Sequence, residues 1–168
     1  MRLAYVQTTS YQHINYIKHM EKKPVTVFFG TMTGNAEDLA ERTAERLNTE
    51  GHESSLVSLD DYEPSDLANV QRAIVVISTW GEGDPPDECE DFCYSLYDGE
   101  VSDLQNMDYC VFALGDSSYD DFCGCGRKVD ESLSQHGATC FMERKEVDVD
   151  FDDDFDEWLE ALVTKLSE

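Results

Sequence analysis

Basic residues are scarce in this chain: 12 Lys and Arg stand against 37 Asp and Glu, a formal net charge of −25 at pH 7. Between positions 60 and 126 the sequence has 17 acids and a single base, Arg72. Such a field repels nucleic-acid phosphates and anionic lipid, so nucleic-acid and membrane-surface roles are set aside. It attracts a basic protein surface and speeds encounter with one, although solubility or a salt-rich habitat would account for the same composition. Long apolar runs are also missing, and no membrane span is expected. The N-terminus lacks the apolar stretch of a secretory signal, so the expected compartment is the cytoplasm.

Only 4 prolines occur, with no internal repeat and no low-complexity linker, which favours one domain for most of the 168 residues. The 6 cysteines, at 89, 93, 110, 123, 125 and 140, include no paired C-x-x-C and no Cys/His set of four. A structural metal site is therefore not expected, and without a secretory signal the cysteines should be thiols. Cys89 and Cys93 stand four apart, the spacing of one helix face. Cys110 and Cys140 fall inside apolar runs and read as small buried hydrophobes.

What is present is an alternation. An apolar run at 25–29 ends at Gly30, and Ala36, Leu39, Ala40, Thr43, Ala44 and Leu47 then form one stripe of an amphipathic helix stopped by Gly51. A short strand is expected at 56–59 and a continuous apolar one at 72–78, the kind that needs cover on both faces. A helix at 87–97, a strand at 109–114, a helix at 128–136, a strand at 138–142 and a helix at 154–165 complete the pattern. The last helix places Phe155, Trp158, Leu159, Leu162 and Leu166 on one stripe. Five alternations of this kind predict an α/β fold, a doubly wound five-stranded parallel sheet. The acid-rich stretch 148–156 reads as a solvated turn and helix start. Residues 1–23 stand outside the pattern as an N-terminal extension. Tyr11, Ile14, Ile17 and Met20 have near-helical spacing there, and an extra helix, an oligomer contact and a disordered leader all remain open.

In open α/β sheets ligands bind beyond the carboxyl ends of the strands. The loop after the first strand, Gly30-Thr31-Met32-Thr33-Gly34-Asn35, offers hydroxyls and the N–H groups of a helix start, which suit a phosphate monoester. No lysine follows the second glycine, so this is not a nucleoside-triphosphate loop, and the Gly-x-Gly-x-x-Gly fingerprint of dinucleotide binding is absent. A plain turn with a helix cap would look the same. The loops after the third and fourth strands each place one large aromatic, Trp80 or Tyr119, among polar residues. Two such rings on neighbouring loops would hold a flat group between them, although a lone loop aromatic more often packs locally.

Thr31-x-Thr33-Gly34-Asn35, Ser78-Thr79-Trp80-Gly81 and Gly115-Asp116-Ser117-Ser118-Tyr119-x-x-Phe122-Cys123-Gly124 resemble the three FMN-binding loops of short-chain flavodoxins. Gly81-Glu82-Gly83-Asp84-Pro85-Pro86-Asp87 is also similar to the FMN domains of diflavin reductases, and the likeness covers residues 24–168. The resemblance implies a flavodoxin-like fold holding noncovalent FMN. It assigns the phosphate to Thr31, Thr33, Gly34 and Asn35, helped by Ser78. It counts Met32 and Ala36 of the same loop among the cofactor-binding residues, Ala36 standing where the family often has a hydroxyl and so costing one phosphate hydrogen bond. It assigns the ring to Thr79, Trp80, Gly81 and Gly83 on one loop and to Leu114, Gly115, Asp116, Tyr119, Asp121, Phe122 and Cys123 on the other. Stacked aromatics, poor solvation and nearby acids would disfavour the fully reduced anionic flavin and widen the gap between its one-electron steps.

The function so implied is a low-potential electron carrier, not an enzyme, shuttling single electrons between a reductase and an acceptor protein. A basic partner, such as a ferredoxin–NADP reductase-like donor, would land on Glu82, Asp84, Asp87, Asp120 and Asp121, and the carrier is expected to be a monomer. Alternatives that keep the FMN are the FMN domain of a diflavin reductase and an NAD(P)H-dependent quinone reductase. A receiver domain would need acids where Thr31-Met32-Thr33 stands. A serine hydrolase would have to use His136, a helix-end residue, as its base.

Overall fold

The computed structural model describes residues 22–168. The helical spacing noted at Tyr11, Ile14, Ile17 and Met20 lies outside them. Three long parallel strands form the centre: β1 (Val25–Gly30), β3 (Arg72–Ser78) and β4 (Asp108–Leu114). β2 (Ser54–Ser58) pairs with the outer side of β1, while β5 (Thr139–Cys140) and β6 (Lys145–Val147) both pair with β4. The order is β2-β1-β3-β4-β5, all parallel, so six strand segments fill five positions. Four helices flank the sheet: α1 (Asn35–Thr49), α2 (Glu90–Tyr97), α3 (Gly124–Gln135) and α4 (Asp152–Ser167).

Alternation along each central strand builds two cores, because successive side chains leave opposite faces. Ala73, Val75 and Ile77 of β3 and Tyr109, Val111 and Ala113 of β4 pack with α2 and α3. Ile74, Val76, Cys110, Phe112 and Leu114 pack on the other face with α1 and α4. There the Phe112 ring lies 4.7 Å from Trp158 and 5.5 Å from Phe155, centroid to centroid. Each large side chain removed from water in this way stabilises the fold by about 1.5–3 kcal/mol. The α1 stripe is buried as its spacing requires, from Ala36 to Leu47.

Three stretches depart from the sequence pattern. The helix expected at 87–97 is a 3-10 turn, Asp87–Cys89, followed by α2. α3 starts at Gly124, before the expected 128, and its glycines allow close packing: a Cβ on Gly126 would run into that of Ala113. The strand expected at 138–142 breaks after Cys140 and resumes at Lys145. Between the two pieces Arg144 turns to Asp130 of α3, and Arg72 lies 5.3 Å over the Phe141 ring. Cys140 is consequently exposed, against the expectation of burial, whereas Cys110 is buried. At the amino end of the sheet Lys23, placed with the extension by the sequence pattern, is bonded to Asp108 at 2.6 Å.

Candidate functional site

The strand order reverses between β1 and β3, and the loops at their carboxyl ends, joined by those after β4 and β6, meet there. In the first loop Thr31 Oγ1 accepts the Gly34 N–H at 2.9 Å. Gly34 takes φ 91°, left-handed backbone that lets the strand run straight into α1. The earliest backbone bond of that helix is Asp38 N–H to the Gly34 carbonyl, and no side chain caps it. The N–H groups of Asn35, Ala36 and Glu37 are therefore free for an anion at the positive helix end.

The loop after β3 is a tight hairpin. Trp80 N–H donates to the Asp84 carbonyl at 2.8 Å, and Asp84 N–H returns the bond at 2.9 Å. The chain reverses between them through Gly81 at φ 47° and Gly83 at φ 94°. Just before the hairpin, Thr79 N–H donates to the Leu114 carbonyl at 3.0 Å and its hydroxyl oxygen accepts Cys125 N–H at 3.2 Å. This fixes the base of Trp80, a residue 51% exposed, across from the loop that carries Tyr119, itself 44% exposed.

That second aromatic loop is held by one carboxylate of its own and one from a neighbouring loop. Asp116 Oδ1 accepts Ser118 N–H at 2.9 Å, and Asp148, from the loop after β6, accepts Ser117 N–H at 3.1 Å together with the Ser117 hydroxyl. The Ser117 hydroxyl, with the Ser117 and Val149 amides, holds the Asp148 carboxyl below the usual range. Arg127, and then Lys128, do the same for Asp121. Cys123 is the one non-glycine residue with positive φ among those described, at 53°. Left-handed backbone costs such a residue about 1–2 kcal/mol. Its thiol points inward to the Ala113 carbonyl at 3.4 Å, and burial pushes it up to about 12.

Two adjoining hollows open between these loops. One, of about 250 Å³, is lined by Met32, Thr33, Asn35, Ser78, Leu114 and Gly115. The other, of about 320 Å³, is lined by Gly81, Tyr119, Asp121, Phe122 and Cys123. Thr79, Trp80 and Asp116 line both and make them one trough. Four of the residues singled out in the sequence are not on its walls. Thr31 and Gly34 shape the first loop from behind, Ala36 is fully buried in the core under α1, and Gly83 packs against Asp121 and Gly124. Two wall residues escaped the sequence pattern: Val149 and Phe151, in the acid-rich stretch read as a solvated turn. Apolar side chains alternating with aspartates were the available signal. A larger hollow of about 620 Å³ lies by α3 and β5, where Arg144 and the Tyr109 hydroxyl both bond to Asp130.

The chemistry of the trough suits FMN. Hydroxyls, an amide side chain and uncapped helix N–H groups would take a phosphate, Trp80 and Tyr119 would take the ring, and no cation lines the phosphate end. Fold and trough together define an FMN-binding electron-transfer domain. The family profile described as "Flavodoxin" matches residues 27–161, and the chain belongs to the flavodoxin family. It is 38% identical over 146 residues to the sulfite reductase [NADPH] flavoprotein alpha-component of Bacillus subtilis, covering 87% of this chain and 24% of that protein. The corresponding protein of Vibrio parahaemolyticus is 38% identical over 144 residues, with 86% and 23% covered. The chain thus spans about a quarter of the length of these curated relatives. Among solved structures, the flavodoxin of Streptococcus pneumoniae TIGR4 superposes with a TM-score of 0.75 at 31% identity, over 85% of this chain and 97% of that one. Oxidised flavodoxin 1 of Bacillus cereus gives 0.74 at 26% identity, over 86% and 97%. Among the described residues, no helix is long and apolar enough to cross a membrane.

Proposed function

We propose that this chain is a low-potential carrier that takes single electrons from a basic reductase and passes them to an acceptor protein. FMN, when bound, supplies the one-electron chemistry. The chain's own part is to hold the phosphate on Thr33, Asn35, Ser78 and the α1 N–H groups, and to keep water off the ring with Trp80 and Tyr119. Acids around the trough make added negative charge there costly, which lowers the potential.

The observation that carries the reading is the placement of exposed charge: Glu82, Asp84, Asp87 and Asp120 are all exposed, on the two loops that carry Trp80 and Tyr119. Asp121, grouped with them on sequence grounds, is tied to Arg127 and Lys128 and is left out of the docking set. The test is electron transfer from a basic NADPH-dependent flavin reductase. Neutralising Glu82, Asp84, Asp87 and Asp120 together should slow it and flatten its dependence on ionic strength, since steering fades beyond about 8–10 Å of screening. Neutralising Glu41, Glu45, Asp153 and Glu157, exposed acids of α1 and α4, should do much less. Equal effects from both sets would mean a general field and no docking face. Reduction by NADPH with no donor protein would favour a quinone reductase instead.

A second reading, the FMN part of a diflavin reductase, is favoured by the Gly81-Glu82-Gly83-Asp84-Pro85-Pro86-Asp87 stretch and by the sulfite reductase flavoproteins among the relatives. Under it the same acidic face would meet a tethered FAD module. Steady reduction by a freely diffusing reductase at micromolar concentration separates the two.

A further inference from the structure

After the nearly base-free stretch 60–126 come two adjacent cations, Arg127 and Lys128, in the first turns of α3. Both turn back toward the trough. Lys128 Nζ donates to the Gly83 carbonyl at 3.0 Å and lies 3.6 Å from Asp121 Oδ2, while Arg127 bonds the other Asp121 oxygen. Gly83 is one of the two left-handed glycines of the Trp80–Asp84 hairpin, and Asp121 belongs to the Tyr119 loop. One ammonium thus joins the two loops that carry the aromatic walls.

Beneath it the hairpin already sits close against the Asp121 side chain and the Gly124 backbone. A Cβ on Gly83 would run into the Asp121 carboxylate, and one on Gly124 would lie 2.8 Å from Gly83 Cα. Gly83 gives the hairpin tip no side chain of its own to interlock there, so the Lys128 bond adds to the packing on Asp121, while the Thr79 hydroxyl, bonded to Cys125 N–H, holds only the hairpin's base. Its own two bonds, between Trp80 and Asp84, set its shape but not its position.

We propose that Lys128 is a positioning residue for the flavin trough: its ammonium fastens the Trp80–Asp84 hairpin to the Asp121 turn and so fixes the wall that Trp80 presents. The proposal rests on reading the trough as the FMN site, but the fastening exists without the cofactor and is tested without it. Amide hydrogen exchange in the apoprotein reads the hairpin directly. Lys128→Met keeps the aliphatic stem and removes the donor and the charge. It should speed exchange at the Trp80 and Asp84 amides about tenfold while leaving β3 and β4 unchanged. Lys128→Arg, which can still donate to a carbonyl, should restore slow exchange. Lys165→Met, the same charge change at the far end of α4, should do nothing at these amides.

In the FMN titration Lys128→Met should raise the dissociation constant about three- to tenfold, the scale of one partly exposed charge-assisted bond, with the arginine variant close to wild type. Unchanged exchange at Trp80 and Asp84 in Lys128→Met overturns the proposal. So does a loss that spreads over the whole domain, or one that arginine fails to rescue. Faster local exchange in a protein that takes up no FMN would leave the fastening standing and overturn the FMN reading.

Discussion

Thr33 is exposed on the first loop, beside the uncapped end of α1, and its hydroxyl makes no bond among the described residues. It is therefore the side chain whose loss should be felt by a bound phosphate and by little else. Thr33→Val should weaken FMN binding by about 1–3 kcal/mol, the range of a hydrogen bond to a charged group, with the unfolding midpoint of the apoprotein unchanged. Fluorescence titration of apoprotein with FMN, paired with thermal unfolding, measures both. Asp148 is the opposite kind of residue, bonded within the fold to Ser117 and so held below the usual carboxylate range. Its bonds stabilise the ionised form, so their contribution is complete above the ordinary carboxylate value of about 3.9 and is lost as pH falls through the lowered folded value. Asp148→Asn should lower the melting temperature at pH 7, and the difference from wild type should shrink as the pH is taken below about 4.

At the scale of elements, regular periodicity was legible and close packing was not. The stripe from Ala36 to Leu47 and the apolar run Arg72–Ser78 place α1 and β3 where the structure has them, because burial of one face, or of both, writes itself into the spacing. The start of α3 reads poorly, since Gly124 and Gly126 weaken helix propensity. Their reason is the approach of Gly83 and Ala113, which only the folded chain reveals. The split of the last strand depends on Arg144 reaching Asp130, a contact between separate elements. Of the trough, the polar loops were legible as motifs, whereas Val149 and Phe151 were hidden by the acids around them. The Trp80–Asp84 hairpin carries the element-scale prediction. Trp80→Ala should loosen FMN by about tenfold or more and raise the potential of the second electron, because water then solvates the reduced ring. Unchanged affinity and potentials would show that Trp80 is not a wall of the ring site.

Over the whole molecule the charge of −25 is unevenly used. Several of the cations hold the frame together: Arg42 and Arg46 join α1 to Asp156 and Glu160 of α4, and Arg144 joins the β6 edge to α3. Glu82, Asp84 and Asp120 of the Trp80 and Tyr119 loops are left facing solvent, while Asp116 and Asp121 are bonded within the fold. On the proposed reading, acids around the trough would disfavour the anionic flavin and separate the two one-electron steps. Stepwise dithionite reduction of the FMN-loaded protein, followed by its absorption spectrum, measures that separation most directly. The account predicts two resolved one-electron steps, the second at a potential below that of free FMN, with one FMN released per chain on denaturation. A single two-electron conversion, or a protein that releases FAD or retains no flavin, would contradict it.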